Sequence, residues 1–224
     1  MKKFLLALVL MMPILAWGND DISVCDEDLR IGSVLRIIDT PNTEQQMKDA
    51  VLLWIADKHS DSIDKKTDTS HGFLIPVQIY LSNGSEIEDI LICNIKMDFK
   101  DYKARIQLTD MQVLNRYKHY ETFSKTMPVS EYCFIDSVKF DLEKSKTIES
   151  IQNISTLLNT KLSKKNKKEA EHQLEIANNH LALIESSFDY DVRFGKPKNK
   201  ASTINAITTL LKDFESTIKK KDDW

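Results

Sequence analysis

Between Asp89 and Val113 the chain reads DILICNIKMDFKDYKARIQLTDMQV, and from Leu91 to Leu108 apolar and polar residues alternate almost without a break. A period of two belongs to a strand with one dry and one wet face, so this stretch commits the chain to a half-buried sheet. Leu91, Cys93, Ile95, Met97 and Phe99 point one way, while Asn94, Lys96 and Asp98 point the other. A tight turn near Lys100-Asp101 reverses the chain. Tyr102, Ala104, Ile106 and Leu108 then continue the dry face, opposite Lys103, Arg105, Gln107 and Thr109. Both strands agree on which side is inside, and a slip of one residue would invert every side chain, so the register is strongly fixed.

The flanks supply neighbours and a cover. FLIPVQIYL sets Phe73, Ile75, Val77, Ile79 and Leu81 on one face. Pro76 cannot donate to a ladder, which puts that strand at an edge or gives it a bulge. Ser82-Asn83-Gly84-Ser85 is the turn signal that follows. Upstream, VLRII (34–38) is a short strand ending at Asp39, and Thr43 with Gln46 forms a capping box. The helix it opens places Met47, Ala50, Val51, Trp54 and Ile55 on one continuous apolar face. That face matches the dry side of the sheet. HSDSIDKKTDTSHG reads as a polar loop containing one short, irregular strand.

From about Asp141 the composition changes: glycine is absent from Asp141 to Phe194, and lysine, asparagine and leucine rise. Ile148, Ile151, Leu158 and Leu162 keep helical spacing. So do Ala170, Leu174, Ala177, Leu181, Ile184 and Phe188 after a charged turn SKKNKKE. Ile204, Ile207, Leu211, Phe214 and Ile218 do so again after a Ser202/Thr203 cap, with FDYDVRFGKPKNK as the connection before them. The expected organisation is a leader at 1–18, an α+β domain at 19–140 and a C-terminal segment of about three helices at 141–224.

The leader expectation rests on Lys2 and Lys3, an uncharged run from Phe4 to Trp17, and small residues Ala16 and Gly18 ahead of a cut at Asn19. Fourteen uncharged residues interrupted by Pro13 fall short of a bilayer span of ~20, so no stable membrane anchor is expected after cleavage. The expected location is periplasmic or secreted. Once Lys2 and Lys3 leave with the leader, 29 basic residues face 34 acidic ones and the formal charge is −5 rather than −3. Such a balance argues against nucleic acid as a partner. Of the three cysteines, Cys93 lies on the dry face and Cys133 in the strand-like run YCFIDSVKF, and both read as small core residues.

Val34 to Leu114 resembles a family of exported bacterial domains of unknown function with a TATA-binding-protein-like (TBP-like) fold. The resemblance is carried by TEQQMKDAVLLWIADKHS, DKKTDTSHGFLI and ILICNIKMDFKDYKARIQLTDMQV, with Trp54, Asp64, Arg105 and Asp110 at comparable places. It implies a curved antiparallel sheet with one amphipathic helix on its apolar face, and brings no assigned activity. A shared fold does not transfer function.

No catalytic set is recognisable. There is no zinc spacing among His59, His71, His119, His172 and His180, and His119 with Glu121 would give two ligands without a third. No Gly-rich phosphate loop or nucleophile elbow is present, so no catalytic, metal or cofactor-binding residue is assigned and no cofactor is expected. Asp61-Ser62 and Asp136-Ser137, each followed by an apolar residue, resemble acceptors of bacterial O-glycosylation. The wet face of the sheet, with Lys96, Lys103, Arg105 and Gln107, is the candidate interaction surface. The expected function is an exported binding or interaction module with an unknown protein or small-molecule partner. The alternative is an envelope- or glycan-directed hydrolase with a carboxylate pair between sheet and helical tail.

Overall fold

The computed structural model describes residues 22–83, 87–117 and 120–220, the side chains of 83, 117 and 120–123 apart. The expected leader, Gly84-Ser85 of the turn and His119 lie outside the described residues, and so does the side chain of Glu121. One open antiparallel sheet contains β1 (Val34–Asp39), β2 (Thr67–Asp68), β3 (Gly72–Asn83), β4 (Ile87–Lys100), β5 (Lys103–Tyr117) and β6 (Tyr120–Pro128). Their order is β1-β5-β4-β3-β2, with β6 also paired to β5. The helices are α1 (Asp26–Ile31), α2 (Glu44–Lys58), α3 (Ser60–Ile63), α4 (Val129–Cys133), α5 (Ser137–Leu158), α6 (Lys164–Tyr190) and α7 (Lys196–Lys219).

The β4–β5 hairpin turns at Asp101-Tyr102, with Lys100 opposite Lys103. Tyr102 takes the left-handed conformation (φ 66) and stands exposed. It therefore does not belong to the dry face as its place in the alternation suggested; the turn consumes it. Farther along, Ile92 faces Gln112 while Asn94 faces Thr109, so Asp110 and Met111 together oppose Cys93 alone. This is a β-bulge. Asp110 supplies its left-handed residue (φ 55), a conformation a short polar side chain tolerates, and its Oδ2 accepts from Asn94 Nδ2 at 2.9 Å. The extra residue shifts burial from Ala104, Ile106 and Leu108 to Met111 and Val113, which is why the alternation stops at Leu108. It also divides one edge of β5: residues 103–108 pair with β1 and residues 112–117 with β6.

Helix α2 starts at its capping box, where Thr43 N–H donates to Gln46 Oε1 at 2.9 Å, and buries Met47, Val51, Trp54 and Ile55 in the same cluster as Leu91, Ile95 and Ile106. It shares the cover with α7, which adds Ile207, Leu211, Phe214 and Ile218, all fully buried. At about 1.5–3 kcal/mol for each buried apolar side chain, α7 contributes to the core on the same scale as α2. Its C-terminus is held by the β1–α2 connection. Thr40 Oγ1 and Asn42 Nδ2 each donate to the Ile218 carbonyl at 2.7 Å, and Asn42 Nδ2 also reaches the Lys220 carbonyl at 2.8 Å. Those are orphan carbonyls of a helix end, and both donors are buried.

Four local expectations are corrected. The run around Cys133 is not a strand: Val129–Cys133 is the short helix α4, and α5 begins at Ser137 behind an Asp136 N-cap. The lysines of SKKNKKE are not a turn but the first turns of α6, capped by Ser163; the turn is Asn159–Ser163. FDYDVRFGKPKNK is helical throughout, passing through one π-helical turn (Asp191–Gly195) into α7. Ser202 and Thr203 therefore lie inside α7, donating back to the Asn199 carbonyl, and Pro197 marks the start of that helix. Asp26, Glu27 and Asp28 form the first turn of α1; Asp26 and Glu27 are exposed, and Asp28 meets Arg36 at 2.7 Å.

Candidate functional site

Strand parity fixes what the second face of the sheet carries. β4 presents Asn94, Lys96, Asp98 and Lys100; β5 presents Lys103, Arg105, Gln107 and Thr109; β1 presents Leu35, Ile37 and Asp39. Leu35 and Ile37 are each 47 % exposed, and the side chains of Lys96, Lys103 and Arg105 are 42, 56 and 48 % exposed. The face is open to solvent at these residues.

At the hairpin end of this face lies a shallow cavity of about 590 Å³. Its walls include Lys96, Asp98, Lys100, Lys103 and Arg105 from the hairpin, Ile37 from β1, Glu44 from α2, and Thr69, Ser70 and His71 from the segment between β2 and β3. That segment is tied down at both ends. Thr69 N–H donates to the Gly72 carbonyl at 2.9 Å, and Phe99 N–H donates to the His71 carbonyl at 2.8 Å. Lys96, Lys103, Arg105 and Gln107 were the expected surface: the first three line the cavity, and Gln107 lies two residues along β5 from Arg105, outside it. Lys100, His71, Thr69 and Ser70 were not singled out from the sequence. Lys100 was readable, because it continues the Lys96, Asp98 parity; the other three sit in a stretch whose polarity reads only as loop.

Four permanent cations thus face two carboxylates, Asp98 and Glu44. Glu44 is paired with Lys48 at 2.7 Å. Asp98 accepts from Arg105 Nε at 3.0 Å and stands 3.8 Å from Lys96 Nζ, while Lys103 reaches Asp39 at 3.7 Å, both side chains exposed. The exposed Lys103–Asp39 pair contributes little and leaves Lys103 available, whereas Asp98 is mostly buried and also accepts from Arg105 Nη2 at 2.5 Å, so that Arg105 is held by two nitrogens. Thr69 Oγ1 is buried in the wall without a hydrogen-bond partner, and a buried unsatisfied hydroxyl calls for a physical reason.

Beyond the bulge the same face changes character. Tyr80, Ile90 and Leu114 stand in one row across β3, β4 and β5, and Tyr80 is exposed, so the face does contain an aromatic at its far end. On the opposite, core side of that end, Asp89 accepts from Asn115 Nδ2 at 2.7 Å and from Ser82 Oγ and Tyr132 OH at 2.9 Å. Burial first, and Asp89 second, push the Tyr132 phenol well above its ordinary value, so it stays a donor. This cluster closes the end of the core.

Between the sheet and α7, where the hydrolase alternative placed its carboxylate pair, lie the buried Ile207, Leu211, Phe214 and Ile218, while a groove of about 580 Å³ between α2 and α7 is lined by Asp49, Asp57 and Asp213 among others. Each acid has a local partner: Gln45 Nε2 donates to Asp49 at 2.8 Å, Lys58 lies 3.3 Å from Asp57, and Trp54 Nε1 donates to Asp213 at 2.7 Å. Trp54 is core rather than a stacking platform, packed edge-on against His59 and Phe214. Burial lowers the His59 pKa against the opposing pull of Asp213. Among the described residues no three His, Cys, Asp or Glu are grouped as a metal site requires. Among them, too, no helix is long and apolar enough to cross a membrane. Ser62, one of the resembled acceptors, is buried and donates to the Pro76 carbonyl at 2.5 Å, so its hydroxyl is not free for modification.

Two solved structures are similar to this chain. A TBP-like protein from Parabacteroides distasonis matches with 12% identity and a TM-score of 0.37, over 74% of this chain and 96% of that one. A DUF4468 family protein from Bacteroides ovatus matches with 13% identity and a TM-score of 0.32, over 76% of this chain and 91% of that one. No family model and no curated protein matches the chain.

Proposed function

We propose that the chain is a non-catalytic binding module of the cell exterior, and that the open sheet face receives an anionic group of its partner. The observation that carries this reading is the cavity at the hairpin end, where Lys96, Lys100, Lys103 and Arg105 outnumber the carboxylates. A carboxylate or sulfate seated there would accept from lysine and arginine donors. The exposed Leu35 and Ile37 beside it would cover the apolar part of the same partner. An exterior location is supported by the leader-like Lys2 to Gly18 sequence, and a mature N-terminus at Asn19 in the exported fraction would establish it.

The test is a titration followed by amide chemical shifts, using a short acidic peptide and a uronic-acid oligosaccharide as separate probes. Shifts clustered on 69–71, 96–105 and Ile37 are expected with one probe. They should weaken as salt is raised, and the Lys103→Glu/Arg105→Glu double variant should bind roughly tenfold or more weakly. Saturable binding of these probes elsewhere, or no binding of either, overturns the reading.

A further inference from the structure

Helices α5 and α6 form an antiparallel hairpin that packs chiefly on itself and on the π-helical turn after it. Two helices alone cannot enclose a core. Over 22 and 27 residues they fully bury only Thr147 and Ala170, and their seam (Ile148, Ile151, Leu158 against Leu174, Leu181, Ile184) is half-buried. Outside the seam, Ile176, Leu183 and Tyr190 recur every seven residues as one stripe on α6, at 54, 63 and 62 % exposure. Seven residues are nearly two helical turns, so the three side chains stand in line, with Asn179, His180, Ser186 and Ser187 on the turns between them. Next to the stripe, two cavities of about 560 and 400 Å³ share Glu143 and His180, forming a trough along one flank, with Ile154, Ala177 and Phe140 in its walls.

The charges of α6 say what fits there. Its first turn carries Lys164, Lys165 and Lys167 and no acid, although a helix N-terminus repels cations, and Lys168 follows ahead of Glu169 and Glu171. Its other end carries Glu185 and Asp189, with Asp191 just beyond it; within one copy Glu185 pairs with Lys144 at 2.8 Å and Asp189 with Arg193 at 2.7 Å, both as exposed pairs. A second α6 laid antiparallel brings opposite charges together and aligns the two dipoles favourably, whereas a parallel one sets lysines against lysines. If the two-fold axis passes beside Asn179, Ile176 of one copy meets the partner's Leu183. The same register puts Lys168 against the partner's Asp191 and Glu169 against the partner's Tyr190.

We propose that two copies of this chain associate through the α5–α6 hairpins, α6 antiparallel to α6, completing a four-helix bundle. The interface is isologous, as a closed dimer requires. The hairpin is about 33 Å long at 1.5 Å per residue of α5. With a width of about 20 Å for two helices, it offers about 650 Å² per copy, or about 1,300 Å² in all, within the range of stable interfaces.

Sedimentation of the chain lacking residues 1–18 at about 100 μM should give twice the mass of the single polypeptide. Ile176→Glu/Leu183→Glu should raise the dissociation constant at least a hundredfold while leaving far-UV circular dichroism and the thermal midpoint of the isolated monomer unchanged. In a Cys25→Ser background, Asn179→Cys should form an intermolecular disulfide on mild oxidation, which reads the antiparallel register without disturbing the stripe. A monomer at this concentration overturns the proposal. So does a dimer that Ile176→Glu/Leu183→Glu leaves intact, or an Asn179→Cys variant that stays reduced.

Discussion

Gly72 is the residue whose replacement tests the sheet geometry most directly. It opens β3 opposite Asp98, and a Cβ built on it would lie 1.9 Å from the Met97 carbonyl oxygen and 2.8 Å from the carbonyl carbon. An ordinary carbon–oxygen contact is about 3.3 Å, so Gly72→Ala requires the start of β3 to move about 1.4 Å from β4. Both obstructing atoms are backbone and cannot rotate aside. The displacement breaks two bonds that hold the cavity wall, Phe99 N–H to His71 carbonyl (2.8 Å) and Thr69 N–H to Gly72 carbonyl (2.9 Å). It also loosens Phe73, packed edge-on against Phe99. At about 1 kcal/mol for each hydrogen bond and about 1 kcal/mol for partial loss of packing, the cost is about 3 kcal/mol. For a chain of this size that lowers the thermal midpoint by roughly 6–12 °C. Gly32→Ala is the control: Gly32 also needs its glycine, at φ 72, yet has nothing within 4 Å of the added carbon. It should cost only the left-handed penalty of about 1–2 kcal/mol. Urea unfolding of both variants gives the comparison. If Gly72→Ala is no more destabilising than Gly32→Ala, the close approach of β3 to β4 is wrong, and with it the placement of Thr69, Ser70 and His71 in the candidate site.

Burial pushes the Cys93 thiol up to about 12. The raised folded value means that its stabilising contribution is complete below the unfolded value near 9 and is lost as pH rises from there to about 12. That is at most about 4 kcal/mol at 1.36 kcal/mol per unit. Urea midpoints between pH 8 and 11 should therefore fall more steeply in the wild type than in Cys93→Ala; parallel curves refute the burial. Trp54→Phe keeps an aromatic six-membered ring but deletes the five-membered ring of the indole, and with it the Nε1 bond to Asp213 that links α2 and α7. It should cost about 2 kcal/mol, the usual scale for a bond to a charged group, in urea unfolding. A double-mutant cycle with Asp213→Ala that gives simple additivity would show that the bond does not couple the helices.

The β4–β5 hairpin, its dry side and the Trp54 helix were legible because periods of 2 and 3.6 are local and survive without tertiary context. What escaped depended on single residues with special backbone or on partners far along the chain. The bulge at Asp110 is one such case: nothing in LTDMQV distinguishes a bulge from a strand end until Cys93 is seen opposite two residues. Tyr102 misled because an aromatic in alternating register counts as dry, while the two-residue turn needed a left-handed residue at that place. The role of α7 as the second half of the cover was hidden because its apolar seam has the same spacing as those of α5 and α6. What selects α7 for the body is Thr40 and Asn42 capping its far end across 178 and 176 residues of sequence. Charges on the wet face could be listed from parity, but the cavity needed the loop 69–71 folded against Lys96 and Lys100. That contact is fixed by backbone bonds with no sequence signature.

The capping of α7 also explains why the hairpin is free to seek a partner of its own. The chain leaves the body after α4 and returns at the start of α7, and those two points are tied together: Lys196 Nζ donates to the Glu131 carbonyl at 2.7 Å, and Asn199 Nδ2 to the Tyr132 carbonyl at 3.3 Å. Everything between Ser137 and Gly195 is an excursion whose ends are already fixed, so the core under α2 and α7 closes without any residue of α5 or α6. Selection on the sheet core therefore does not account for the Ile176, Leu183 and Tyr190 stripe. A helix pair kept only as a solvated arm would do better with polar residues at those positions, since exposed apolar stripes invite non-specific association. Their spacing, together with three lysines placed where the α6 dipole disfavours them, is accounted for once an oppositely charged, equally apolar surface lies against them, and the other end of α6 in a second copy is such a surface.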